Sequence, residues 1–134
     1  MCSSDLADMD TEKTRDYYGR LTDKDICQCA YCQNYVAEIK AAYPLLTHYL
    51  DSMGVDIEKP FETMPLEPYE GYILYIGTQY VVIGSKEGFV QTKIEDVTID
   101  IADSHPVTDI REEHFVIEAD EIKLKWMENK RPDR

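Results

Sequence analysis

Three cysteines fall in the run Cys27-Gln28-Cys29-Ala30-Tyr31-Cys32, the densest grouping of nucleophilic or metal-ligating side chains in the chain. Thiolates are soft ligands suited to zinc. A Cys-x-Cys-x-x-Cys run at a helix start can bring three sulfurs to one ion, and a helix N-terminus favours the ligating, deprotonated form. A tetrahedral site needs a fourth ligand, and Cys2, His48, His105 and His114 are on offer. His48 belongs to a second helix that can pack back on the first, so the expected metal set is Cys27, Cys29, Cys32 and His48, with zinc as the ion. Two other readings of the same residues stay open. In one, Cys29 and Cys32 do redox work with Cys27 as a resolving thiol, although a thioredoxin-like Cys-x-x-Cys needs a βαβ setting and none precedes it. In the other, the cysteines are small hydrophobes packed beneath a helix.

The compartment bears on that choice. A disulfide framework spreads its cysteines to close long loops, and these are clustered. The first residues, Met1-Cys2-Ser3-Ser4-Asp5-Leu6-Ala7-Asp8, lack the apolar stretch of a secretion signal. A cytoplasmic, reducing setting is therefore expected. Asp and Glu number 27 against 14 Lys and Arg, a formal charge of -13. Phosphate-rich surfaces repel such a chain, so neither nucleic acid nor membrane is an expected partner, whereas a basic protein would be drawn to it. With 43% apolar residues in 134, one folded domain is expected.

The elements that must position the thiols can be read from periodicity. Residues 1–14 are polar and aperiodic and read as a disordered acidic tail, followed by a single domain over 15–128 and a frayed end over 129–134. Thr22-Asp23-Lys24-Asp25 resembles a capping box. Cys32, Val36, Ile39 and Tyr43 then recur at helical spacing, and Pro44 opens a second helix carrying Leu46, Leu50 and Met53, which Gly54 stops. This predicts a helical hairpin over 24–53. Beyond Pro60 the pattern alternates. Phe61–Glu67 reads as an edge strand, because Pro65 cannot donate to a central ladder. Pro68 to Gly71 is a turn. Tyr72–Ile76 and Gln79–Ile83 read as one long strand with a bulge at Gly77-Thr78. Val97–Ile101 is a strand, and Phe115–Ala119 with Ile122–Trp126 is either two strands or one interrupted at Asp120-Glu121. Helices followed by alternating strands make an α+β fold, an N-terminal helical hairpin before an antiparallel sheet of four to five strands.

No other stretch announces chemistry. The three histidines have no Ser or Cys at triad spacing, and phosphate-cradling Gly-rich loops are absent. Asp100, Asp103, His105 and Asp109 match no calcium-loop pattern and read as solvated loop side chains. All ten tyrosines lie between Tyr17 and Tyr80, as an interface or as the shared edge of an amphipathic core.

Several short runs carry a resemblance. Tyr17-Tyr18-Gly19, the run Cys27-x-Cys29-x-Tyr31-Cys32-x-Asn34-Tyr35, and the connector Gly54-Val55-Asp56-Ile57-x-Lys59-Pro60 resemble a family of small uncharacterised bacterial proteins over roughly residues 17–84. That resemblance implies no activity and no catalytic residues. The expected function is a small acidic cytoplasmic protein-binding domain, non-enzymatic, with a structural cysteine cluster able to hold zinc. The alternatives are a thiol-dependent redox enzyme or sensor and an acidic inhibitor of a basic protein.

Overall fold

The structure is a computed structural model that describes residues 10–22 and 29–126. Three helices, α1 (Thr11–Arg20), α2 (Ala30–Ala42) and α3 (Pro44–Ser52), precede five strands: β1 (Glu62–Pro65), β2 (Tyr72–Ile83), β3 (Thr92–Ile94), β4 (Val97–Ile101) and β5 (His114–Lys125). The sheet has the order β1-β2-β5-β4-β3, and every pairing is antiparallel. The α+β class read from the alternation is therefore the fold observed. No helix among the described residues is long and apolar enough to cross a membrane.

Two strands of 12 residues, β2 and β5, form the spine of the sheet. Ile73 and Tyr75 share the main core with Tyr80 and Val82, so the core-facing positions change from odd to even numbers midway along β2. In β5, Phe115, Ile117 and Ala119 give way to Ile122 and Leu124 in the same manner. Tyr75 pairs with Ile122 and Thr78 with Ala119, so both strands change parity at one level. Glu121 takes a φ of 61° there. The irregularity read at Gly77-Thr78 thus falls inside one continuous strand, and Asp120-Glu121 does not divide β5. The strand β3 had no alternating signal in its three residues. A Glu95-Asp96 turn, with both φ values positive, folds it onto β4.

The helices α2 and α3 lie on one face of this sheet. Tyrosine hydroxyls lock α2 down. Tyr80 Oη donates to the Ile57 carbonyl at 2.7 Å, so Tyr35 Oη is the donor to Tyr80 Oη at 2.5 Å. Tyr75 Oη donates to the Tyr31 carbonyl, and Asn34 Nδ2 to the Lys125 carbonyl. Burial pushes the Tyr35, Tyr75 and Tyr80 hydroxyls well up from the ordinary phenol range. Helix α3 has no side-chain cap of its own at Tyr43. The Glu95 carboxylate in the β3–β4 turn accepts from Leu46 N instead.

Helix α1 takes up the last four residues of the segment read as a disordered tail, and residues 1–9 lie outside the described set. Asp10 caps it, accepting from Lys13 N. It has no continuous apolar stripe because it docks through polar groups on the edge of β2 that the short β1 leaves uncovered. Asp10 N and Tyr18 Oη donate to the Ile83 and Val81 carbonyls, and Ile83 N donates to Thr14 Oγ1. An exposed strand edge is thereby closed by a helix. At its other end, Lys59 Nζ donates to the Tyr18 and Leu21 carbonyls. The connector motif has its reason here. Gly54 sits at φ 87°, where a Cβ would lie 2.5 Å from Thr11 O; Ile57 receives Tyr80; Lys59 caps α1.

Gly54→Ala is therefore expected to destabilise the fold by more than about 1 kcal/mol, since it meets both a left-handed φ and the α1 backbone. Gly19→Ala, in α1 with open space around it, should stabilise by roughly 0.5–1 kcal/mol. Urea midpoints check both, and the same sign for the two variants would contradict this packing.

Candidate functional site

The thiols come first. Cys29 is the N-cap of α2, exposed, with its Sγ 3.4 Å from Cys32 N. Cys32 is buried, and its Sγ lies 3.5 Å from Thr63 Oγ1 on β1. The two are not joined by a disulfide. Cys27 and the Thr22–Asp25 capping box extend into residues 23–28, outside the described residues. His48 is exposed on α3 and lines a cavity of about 590 Å³ together with Arg15, Lys40, Asp51 and Lys59. Lys40, on that cavity's wall, lies eight positions beyond Cys32, about 12 Å along the helix. Among the described residues no group of three or more His, Cys, Asp or Glu side chains is arranged to hold a metal ion. Of the four expected ligands, Cys29 and Cys32 share one helical turn and His48 sits among a different set of side chains. Tyr31, Asn34 and Tyr35 of the same run all bond to, or are bonded from, the sheet, so this part of the motif docks α2.

Native alkylation should accordingly modify Cys29 quickly and Cys32 only after unfolding. Peptide mass mapping reads this directly, and equal native labelling of the two would contradict the burial of Cys32.

Among the described residues, helices reach the opposite face of the sheet only through Tyr17 of α1. At one end Val81, Ile83 and Val116 are covered by Tyr17, Phe61, Ala102 and Ile110. Next comes a polar row set by register. Glu62 on β1 pairs with Gln79 on β2, Gln79 with Glu118 on β5, and Glu118 with Asp100 on β4. A cleft of about 520 Å³ opens above it, lined by Glu62, Met64, Gln79 and Glu118 from the sheet and by Asp103–Pro106 from the loop that follows β4. Gln79 is 3% exposed. Its Nε2 donates to the Ser104 carbonyl and to Glu118 Oε1, both at 2.9 Å. Two acceptors fix the amide's orientation, and Gln79 Oε1 is left buried with no donor. A buried carbonyl in that state costs about 1–3 kcal/mol. Gly77 makes room for the row, since a Cβ there would meet Met64 Cε at 2.7 Å and Glu118 Oε2 at 2.9 Å. Past it, the face turns apolar, with Tyr72 and Ile76 each 45% exposed, and Lys123 over the Tyr72 ring at 4.7 Å.

The row is crowded with like charge. Glu62, Asp100, Asp103, Glu118 and Asp120 have no salt bridge to a cation among the described residues. Burial, a hydrogen bond to Glu118 and the charges of Glu118, Glu121 and Asp100 push the Asp120 carboxyl from 3.8 up to about 6. The folded state therefore binds this proton more tightly than the unfolded state. Its stabilising contribution is full below pH 3.8 and is lost as pH rises through about 6. Asp120→Asn should consequently raise Tm relative to the parent at pH 7 and leave it nearly unchanged at pH 3.5, because Asp120 is uncharged there. Thermal melts at the two pH values check this, and an equal shift at both would contradict the crowding.

Comparison with models of protein families, with curated proteins and with solved structures gave no match. The strand residues that form this cleft were not read as a site in the sequence. Glu62, Gln79, Glu118 and Asp120 lie on three strands and meet only through register. Asp100, Asp103 and His105 read as solvated loop side chains, and all three are exposed at the rim of the row. A glycine inside an apolar strand, Gly77, was the one signal of a close approach on that face.

Proposed function

We propose that the chain is a non-enzymatic protein-binding domain that seats a basic, partly apolar partner segment on the face of its sheet opposite α2 and α3. The observation that carries this reading is the juxtaposition on that face of uncompensated carboxylates and exposed Tyr72 and Ile76. Nearby, Leu66 and Tyr69 at the β1–β2 turn are also exposed, at 47% and 75%. A patch with aromatic and aliphatic groups beside charge has the composition of an interface core and its rim. Lys123 at the far end gives the face a polarity, so a segment with its cations at one end would bind in one direction.

Other lines support the same reading. The thiol groups described serve as helix cap and in packing, since Cys29 accepts from Cys32 N and Cys32 is buried. A cytoplasmic setting, with its thiols reduced, belongs to the proposal, as does zinc bound through Cys27, Cys29 and Cys32 as a brace at the start of α2. The same carboxylates would repel nucleic-acid phosphates. An inhibitor that masks a basic protein is one form that such a domain could take.

The test is a titration of ¹⁵N-labelled protein with amphipathic peptides that alternate arginine or lysine with aliphatic residues. Amide shifts should concentrate on Tyr72–Ile76 and Glu118–Glu121, and binding should weaken with salt. Ile76→Ser should weaken it roughly tenfold, by removing an apolar anchor, without lowering Tm. Shifts confined to α2 and α3, or unchanged binding by Ile76→Ser, would contradict the proposal.

A further inference from the structure

The cleft under the Asp103–Pro106 loop has more chemical definition than a general acidic surface. Its acceptors are spread across adjacent strands, which lie about 4.8 Å apart. Glu62 and Glu118 flank Gln79 on its two sides, and the Ser104 carbonyl closes one edge by taking the Gln79 amide nitrogen. A metal ion needs its oxygen ligands about 2.0–2.6 Å from one centre, and the described side chains do not converge in that way. A guanidinium group presents five N–H donors in a flat fork, which suits acceptors spread along a line; an ammonium is a compact point with three. Within this wall Gln79 Oε1 is the buried acceptor that has no donor.

We propose that this cleft is an arginine pocket, which receives one guanidinium group of the partner between the Glu118 and Glu62 carboxylates and supplies the donor that Gln79 Oε1 lacks. This rests on the reading of the face opposite α2 and α3 as the protein-binding face. Binding is coupled to protons. Glu118 and Glu121 on β5, Asp100 on β4, Glu62 on β1, and Asp103 and His105 from the loop surround or flank Asp120 and its row. A bound cation favours the ionised form of Asp120, whose carboxyl is pushed up to about 6 by burial and these neighbours. Affinity should therefore fall as pH drops from 7 to 5.

The experiment compares three versions of one peptide that binds the face: with arginine, lysine or the neutral isostere citrulline at its single basic position. Citrulline should bind roughly tenfold more weakly than arginine, with lysine between them, as expected when charge-assisted and forked hydrogen bonds are removed in turn. The arginine peptide alone should shift the Gln79 side-chain NH₂ signals. Glu118→Gln should level the three affinities, and Glu62→Gln, on the exposed rim, should narrow the differences in a protein whose folding does not depend on that side chain. If citrulline binds as tightly as arginine while shifts persist at Tyr72–Ile76, the arginine pocket is wrong and the binding face stands. If none of the peptides shifts that face, both fall.

Discussion

The hydroxyl-to-hydroxyl bond between Tyr35 and Tyr80 holds the two layers of this protein in register. Both rings are fully buried, and the chain runs on from Tyr80 to the Ile57 carbonyl in the connector. Helix, sheet and connector therefore meet at one line of two hydrogen bonds inside an apolar core. Tyr35 Oη donates to Tyr80 Oη and loses that acceptor if Tyr80 is removed, whereas Tyr80 Oη keeps the Ile57 carbonyl but loses its donor if Tyr35 is removed. A buried polar group without its partner is costly, so the arrangement discriminates against any other seating of α2 on β2. Tyr75 to Tyr31 and Asn34 to Lys125 extend the same device along the helix.

One-sided docking decides what the other face can do. With α2 and α3 held on the main core and α1 closing the edge of β2, the described helices reach the reverse face only through Tyr17 of α1. At one end Tyr17, Phe61, Ala102 and Ile110 lie over Val81, Ile83 and Val116. The remainder presents carboxylates in a cross-strand row beside exposed aromatic and aliphatic groups. Like charges on adjacent strands disfavour the sheet, and the raised Asp120 carboxyl is the trace of that conflict. Local arrangements that work against stability are where function is to be sought.

Much of the architecture was legible in the residues. Alternation in Val97–Ile101 and the β-branched and aromatic runs of β2 and β5 mark strands because each buries one face. Pro44 and Gly54 bound α3 because each fits a single backbone role. Helix α1 was not legible, since Thr11–Arg20 docks through Thr14, the Tyr18 hydroxyl and its own first turn instead of an apolar stripe. The strand β3 was too short to show a period. Of the expected site, Cys29 and Cys32 stand at one helix start, while His48 faces a separate cavity. The cleft around Gln79 escaped notice because strand register, which brings Glu62, Glu118 and Asp100 beside it, is a property of pairing and has no local sequence signal.

A double-mutant cycle on Tyr35→Phe and Tyr80→Phe, read from urea unfolding, addresses the docking of the two layers most directly. The account predicts strong non-additivity, with a coupling energy of roughly 1 kcal/mol or more between two rings in contact. Additive losses within about 0.3 kcal/mol would mean that the two hydroxyls act independently, and the bond on which the one-sided fold depends would not be there.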